Sequence, residues 1–165
     1  MIRILGIDPG TINLGYGVVE VDAGMKALDF GVIHVASGIR IEKRLKYLYE
    51  KINDVILKSN PDEVAIEQLF VGKNAKSAFA IGAAQTVAVL AVVNNGLPVY
   101  YYSPNMIKQH VTSYGHSDKK QVQEMVRIHL GLLESPEPND AADALATAIC
   151  HINCSRFNRW VSERV

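Results

Sequence analysis

Apolar residues fill positions 4 to 7 of the chain, and the run stops at Asp8, where Pro9-Gly10 turns the backbone. A short continuous apolar run closed by turn residues predicts a buried strand over 2–8. In the next segment, 14–21, Leu14, Tyr16 and Val18 share one face, and 28–36 has strand character too. With "DAGMKA" as the turn between them, these segments predict a meander of three antiparallel strands. Gly15 and Gly17 lie two apart on one face of the second strand, where missing side chains let another backbone or a ligand come close.

The period then changes. Leu45, Leu48, Ile52, Val55 and Ile56 recur at helical spacing among Lys and Glu, predicting an amphipathic helix over 42–59 that ends at Asn60-Pro61. Val64-Ala65-Ile66 reads as a strand buried on both faces, ending in Glu67. A helix is predicted over 75–95, apolar on most of its surface, and "LPVYYYS" supplies a fifth strand, with Tyr100, Tyr101 and Tyr102 as sheet and core packing. Further helices are predicted at 104–112, 118–130 and 139–156, and loops at 71–75, 113–117 and 134–139. Three strands, then helix, strand, helix, strand and helices is the order of a mixed sheet with helices on both faces. There is no internal repeat and no linker, so residues 1–165 are read as a single domain.

Composition narrows the class. Of the 165 residues, 48% are hydrophobic and 21% charged, which sets disorder aside. Lys+Arg and Asp+Glu number 17 each, so a nucleic-acid binder with this balance must segregate its charges onto different faces. The apolar N-terminal stretch is interrupted by Arg3 and Asp8 and lacks a cleavage site, so no signal peptide is read and the expected location is the cytoplasm. The most apolar segment, 78–93, is short of a full membrane span and carries Gln85 and Thr86. Cys150 and Cys154 could hold zinc with His151. No other cysteine completes such a site, and two small hydrophobes in a reducing compartment are the simpler reading.

The chemistry-bearing positions are acidic. Asp8 and Glu67 share a context, an apolar strand with a carboxylate at its C-terminal end. If those strands are parallel neighbours, the two acids sit side by side where α/β folds bind ligands. So close a pair repels unless a proton or a cation lies between them. Asp140 and Asp143, three apart in "PNDAADALATAI", share a face at the start of the last helix. Either alone would be read as favouring the helix dipole. As a pair beside Ala141, Ala142 and Ala144 they mark a close helix–sheet contact with acids at its edge. Four hard oxygen donors suit Mg²⁺, with Mn²⁺ able to substitute, and such clusters serve phosphoryl transfer with two ions per site.

Three stretches then match one family in order. "GIDPGTINLGYGVV", "IEQLFVGKNAKSAFAIG" and "DAADALATAICH" resemble the motifs of the RuvC family of Holliday junction resolvases, of the ribonuclease H-like superfamily. The resemblance runs over nearly the whole chain. It implies a ribonuclease H-like α/β fold with a mixed five-stranded sheet, and Asp8, Glu67, Asp140 and Asp143 as catalytic metal ligands. It also implies a homodimer that nicks opposed strands of four-way junction DNA, delivered by a branch-migration motor complex. The chain departs from the family at Ala83-Ala84-Gln85-Thr86, where relatives carry Gln-Ala-Arg-Gly, and at Ser113, where glycine is usual. In the 75–95 helix, which belongs to the family's dimer interface, Ala80, Ala83, Ala84 and Ala88 would let a second helix come close.

Phe70 follows Glu67 by three residues and precedes Lys73, Asn74 and Lys76. A lone Phe is commonly core. An aromatic beside basic residues suits stacking on an unpaired base, and relatives place one near the junction centre. Lys108 and Lys119 match basic positions that relatives hold near the active site. Three other functions compete. "IDPGT" also looks like the phosphate loop of actin-like and sugar-kinase ATPases, but that fold needs two such domains and one fits here. Ribonuclease H-like nucleases that process ribosomal RNA share the first motif and match the later two less well. A junction binder without catalysis gains nothing from acids facing phosphates.

Overall fold

The computed structural model describes residues 1–68 and 75–162. Five strands form one sheet: β1 (Ile2–Asp8), β2 (Asn13–Val21), β3 (Met25–His34), β4 (Glu63–Glu67) and β5 (Val99–Tyr102). Their order across the sheet is β3-β2-β1-β4-β5. The first three pair antiparallel, as the meander predicts, whereas β1–β4 and β4–β5 are parallel. Five helices complete the fold: α1 (Ile41–Ser59), α2 (Ala75–Asn94), α3 (Pro104–Thr112), α4 (Lys119–Leu130) and α5 (Asn139–Ser162).

The two faces of the sheet are covered by different helices. Leu5, Ile7, Leu14, Val18, Val64 and Ile66 pack with Leu48, Ile52 and Ile56 of α1 and Ala84, Ala88 and Ala91 of α2. Ile4, Val19 and Ala65 pack with residues of α3, α4 and α5 such as Ile107, Val126 and Leu145. Because side chains alternate along a strand, this partition fixes where the acids point. Asp8 shares the parity of Ile4, and Glu67 that of Ala65, so both belong to the α5 side.

Helix α5 lies unusually close to the sheet. A Cβ added to Gly6 would fall on the carbonyl oxygen of Ala144, and one added to Gly15 on the carbonyl oxygen of Asp140. At Gly17 it would come within 2.7 Å of the Leu145 side chain. The approaching backbone expected at Gly15 and Gly17 is therefore the first turns of α5. Ala141, Ala144 and Ala148 are fully buried on the helix side of this contact.

Some elements differ from the sequence reading. β3 begins at Met25 rather than 28, because Met25 and Ala27 pair with β2 and pack against the α5-side core, leaving a turn closed by Asp22 N–H donating to Gly24 O at 3.0 Å. α5 continues past 156 to Ser162, in a stretch with no Gly or Pro to stop it. Of the three tyrosines, Tyr102 is core, whereas Tyr100 and Tyr101 are exposed. Ala84 and Ala88 of α2 face the sheet rather than outward. The outward stripe of that helix is Phe79, Thr86, Leu90 and Val93, all exposed. Among the described residues α2 is also the helix long and apolar enough to cross a membrane by length and composition.

Gly15→Ala must push α5 off the sheet, since the obstacle is backbone and not a movable side chain. A cost of about 1–3 kcal/mol in a denaturant melt is expected, the range for overpacking a close contact. Gly38→Ala meets nothing within 4 Å and serves as the control. Equal melts for the two variants would contradict the close seating of α5.

Candidate active site

The C-terminal ends of β1 and β4 lie side by side, with Ile7 opposite Ile66, so Asp8 and Glu67 emerge together on the α5 side. The first turns of α5 bring Asp140 and Asp143 against them. Carboxylate oxygens of Asp8, Asp140 and Asp143 all lie within 4.8 Å of one another, and these three acids are half-buried. Glu67 stands beside this triad rather than inside it. Asp8, Glu67 and Asp143 line a cavity of about 280 Å³ together with Pro104, Ile107, Lys108, Lys119, Val122 and Ala146.

Such crowding is costly for ionised carboxylates. Burial, then the charges of Glu67, Asp143 and Asp140, push Asp8 from 3.8 up to about 8, with Lys119 pulling the other way. Burial and Asp143 push Glu67 from 4.5 up to about 7, opposed by Lys119 and Lys108. Both shifts have the same sense: the site holds more negative charge than the protein alone neutralises. Hard oxygen donors this close together, short of positive charge, are a donor set for a divalent cation.

Lys119 is placed by the capping of α4. Asp118 accepts the Gln121 N–H at 2.9 Å, and the Gln121 side chain accepts the Asp118 N–H at 2.9 Å, so Lys119 opens the helix in a fixed direction. Its ammonium donates to Asp143 Oδ2 at 2.7 Å. Burial lowers its pKa, but Asp143, Asp140 and Asp8 outweigh this and hold it above the ordinary lysine value. Lys119, expected from the sequence as a DNA contact near the active site, is in the fold also the counter-charge of the acids. Lys108 lies on α3 at the rim of the same cavity. Phe70, Lys73 and Asn74 lie outside the described residues, as does the side chain of Lys76.

Arg44 is a supporting residue that sequence reasoning missed. Its guanidinium donates to Ser37 O at 2.9 Å, Ile39 O at 3.0 Å and Thr11 Oγ1 at 3.4 Å, tying the turn after Asp8 to the start of α1. On an amphipathic helix it reads only as one more solvated cation. Zinc at Cys150, His151 and Cys154 does not fit. His151 Nδ1 bonds the Tyr102 hydroxyl at 2.7 Å and its Nε2 bonds Glu63 Oε2, so neither nitrogen is left for a metal. Burial pushes the Cys150 thiol well above the ordinary range.

Comparison with known proteins agrees with this geometry. Residues 4–151 match the family described as crossover junction endodeoxyribonuclease RuvC. Two proteins of that name from strains of Dehalococcoides mccartyi are 49% identical over 163 residues and 52% identical over 162 residues, covering 98% of this chain and 97% and 98% of their own. One from Chloroflexus aggregans is 49% identical over 150 residues, covering 90% of this chain and 92% of its own. Among solved structures, T. thermophilus RuvC in complex with a Holliday junction substrate superposes with a TM-score of 0.91 at 33% identity, covering 96% of this chain and 97% of that one. The yeast mitochondrial Holliday junction resolvase shares the fold, with a TM-score of 0.67 at 13% identity. A match of this extent decides against the ATPase and ribosomal-RNA alternatives: the chain belongs to the RuvC family of crossover junction endodeoxyribonucleases.

Proposed function

We propose that this chain resolves four-way DNA junctions by metal-dependent nicks in opposed strands, with Asp8, Glu67, Asp140 and Asp143 as the metal ligands. The observation that carries this reading is the convergence of three carboxylates within 4.8 Å beside Glu67, with burial and mutual repulsion raising Asp8 and Glu67. Mg²⁺, two ions per site, suits these hard donors, and Mn²⁺ can substitute. When bound, such ions activate a water toward phosphorus and stabilise the leaving 3′-oxygen.

The chain's own residues do the rest. The four acids hold the cations. Lys119 limits the repulsion among the acids through Asp143 and stands at the cleft where its ammonium would meet a phosphate oxygen. Lys108 at the rim, with Phe70, Lys73, Asn74 and Lys76 from the 69–76 segment, contacts the strand. Ile107, Val122 and Ala146 give the cavity an apolar wall that limits water.

Cutting two strands calls for two active sites, and α2 offers the surface for a homodimer. Phe79, Thr86, Leu90 and Val93 recur at one-face spacing and are exposed, with Phe79 at 77%. A helix apolar on both its inner and outer sides needs cover on both. A second copy of α2 supplies it, in place of a membrane. A cytoplasmic location and a branch-migration motor complex as partner go with junction DNA as the proposed substrate.

Asp8→Asn keeps the shape and removes one charge. Cleavage of a synthetic four-way junction in Mg²⁺ is expected to fall by about 10²-fold or more, the scale on which a positioned electrostatic group is felt. Junction binding is expected to persist, since phosphate contacts come from other residues. A variant that cuts at the wild-type rate would refute the metal-ligand assignment. For the dimer, Leu90→Glu puts a charge into the outer stripe of α2 without touching the core. Sedimentation equilibrium at micromolar concentration is expected to show a wild-type dimer and a folded monomeric variant; a wild-type monomer would contradict the paired-site reading.

A further inference from the structure

We infer that Tyr114, on the loop joining α3 to α4, stacks against a nucleotide of the strand lying in the acidic cleft. The inference rests on the DNA-cleaving reading above. Tyr114 is 61% exposed, and its ring meets His116 edge-on, with centroids 5.7 Å apart and planes at 66°. Single exposed aromatics are ordinary on protein surfaces. This one differs in what holds it and in what lies beside it.

The loop is braced where short loops are usually free. Thr112 Oγ1 accepts the Tyr114 N–H at 3.1 Å, and the hydroxyls of Thr112 and Ser117 bond each other at 2.6 Å. Ser117, 3% exposed, also donates to Tyr114 O at 2.8 Å. The last carbonyls of α3 are held from outside the loop: Asn153 donates to His110 O at 2.9 Å, and His129 Nε2 bonds Val111 O at 2.9 Å. Ser113 takes the left-handed conformation, with φ 63°, that turns the chain out of α3. A backbone so fixed presents the Tyr114 ring in a set place at little entropic cost, which is what a preorganised contact requires.

The loop also links the two helices whose lysines flank the acids. Lys108 lies on α3 and Lys119 opens α4, and both line the cleft with Asp8 and Glu67. Between residues 104 and 123 the sole acidic residue is Asp118, whose carboxylate is engaged as the cap of α4. The segment that carries Tyr114 is thus basic and aromatic along the chain, the pairing that suits a phosphate backbone with its bases. A ring on the loop that joins the Lys108 helix to the Lys119 helix would, by stacking, fix how far the strand advances into the site.

The test uses full-length protein and a fluorescein-labelled synthetic four-way junction, with binding measured without divalent metal and single-turnover cleavage with Mg²⁺. Tyr114→Ala is expected to weaken binding about tenfold, within the range that base–aromatic stacking supplies, and to slow cleavage, with an unchanged thermal melt. Tyr114→Phe, which keeps the ring, is expected to behave as wild type, and Tyr114→Leu, which keeps the bulk alone, as the alanine variant. Wild-type binding by both Tyr114→Ala and Tyr114→Leu, or an equal loss in Tyr114→Phe, would overturn the stacking role while leaving the nuclease reading intact. A wild-type protein that neither binds nor cuts the junction would overturn both.

Discussion

The seating of α5 directly on the backbones of β1 and β2 is the constraint on which the site depends. Gly6, Gly15 and Gly17 present no side chain to the helix, and Ala141, Ala144 and Ala148 answer them from the other side. Any larger residue at Gly15 would meet the carbonyl of Asp140, a residue of the site itself. The packing is therefore also the positioning device. It holds the first turn of a helix against the ends of two parallel strands, and both elements carry acids at their tips. A looser contact would keep the fold and separate the carboxylates.

The arrangement opposes what electrostatics would choose for the protein alone. Burial and the charges of Glu67, Asp143 and Asp140 hold Asp8 well above its ordinary pKa, and burial and Asp143 do the same to Glu67. The neighbouring hydrophobic cores supply the favourable free energy that tolerates this, since burial of Ile4, Leu145 and Ile149 proceeds whatever the acids do. Lys119 offsets part of the repulsion through Asp143. A cluster of carboxylates held so far from their ordinary titration is characteristic of function placed at a cost in stability.

Much of this was legible in the sequence, for identifiable reasons. Strand periodicity and terminal acids located Asp8 and Glu67, and parity along β1 and β4 is enough to put both on one side of the sheet. The glycine pair in β2 and the alanines around Asp140 and Asp143 announced the close contact, because small residues in register have few other uses. What the sequence concealed was pairwise and nonlocal. The pairing of Lys119 with Asp143 shows only once α4 is placed beside α5, and Arg44 reads as a solvated helix residue until the turn after Asp8 folds back on it. His151 looked like a candidate ligand because nothing in the sequence shows that Tyr102 and Glu63 already occupy both ring nitrogens. That Ala84 and Ala88 lie against the sheet was hidden for a similar reason: alanine suits both a sheet contact and a helix contact, and only the packing shows which.

The central claim is that these acids are held together for a divalent cation. The most direct measurement is the thermal stability of the protein against pH, with and without Mg²⁺. Because the folded-state pKa values of Asp8 and Glu67 are raised, their stabilising contribution is full below about pH 4, near the ordinary carboxylate values, and is lost as pH rises toward 7 and 8. The metal-free protein should therefore melt progressively earlier over that window. Mg²⁺ binds the ionised form, so it should restore the melting temperature, and more at pH 8.5 than at pH 6. A melt that Mg²⁺ leaves unmoved at both pH values would contradict the account.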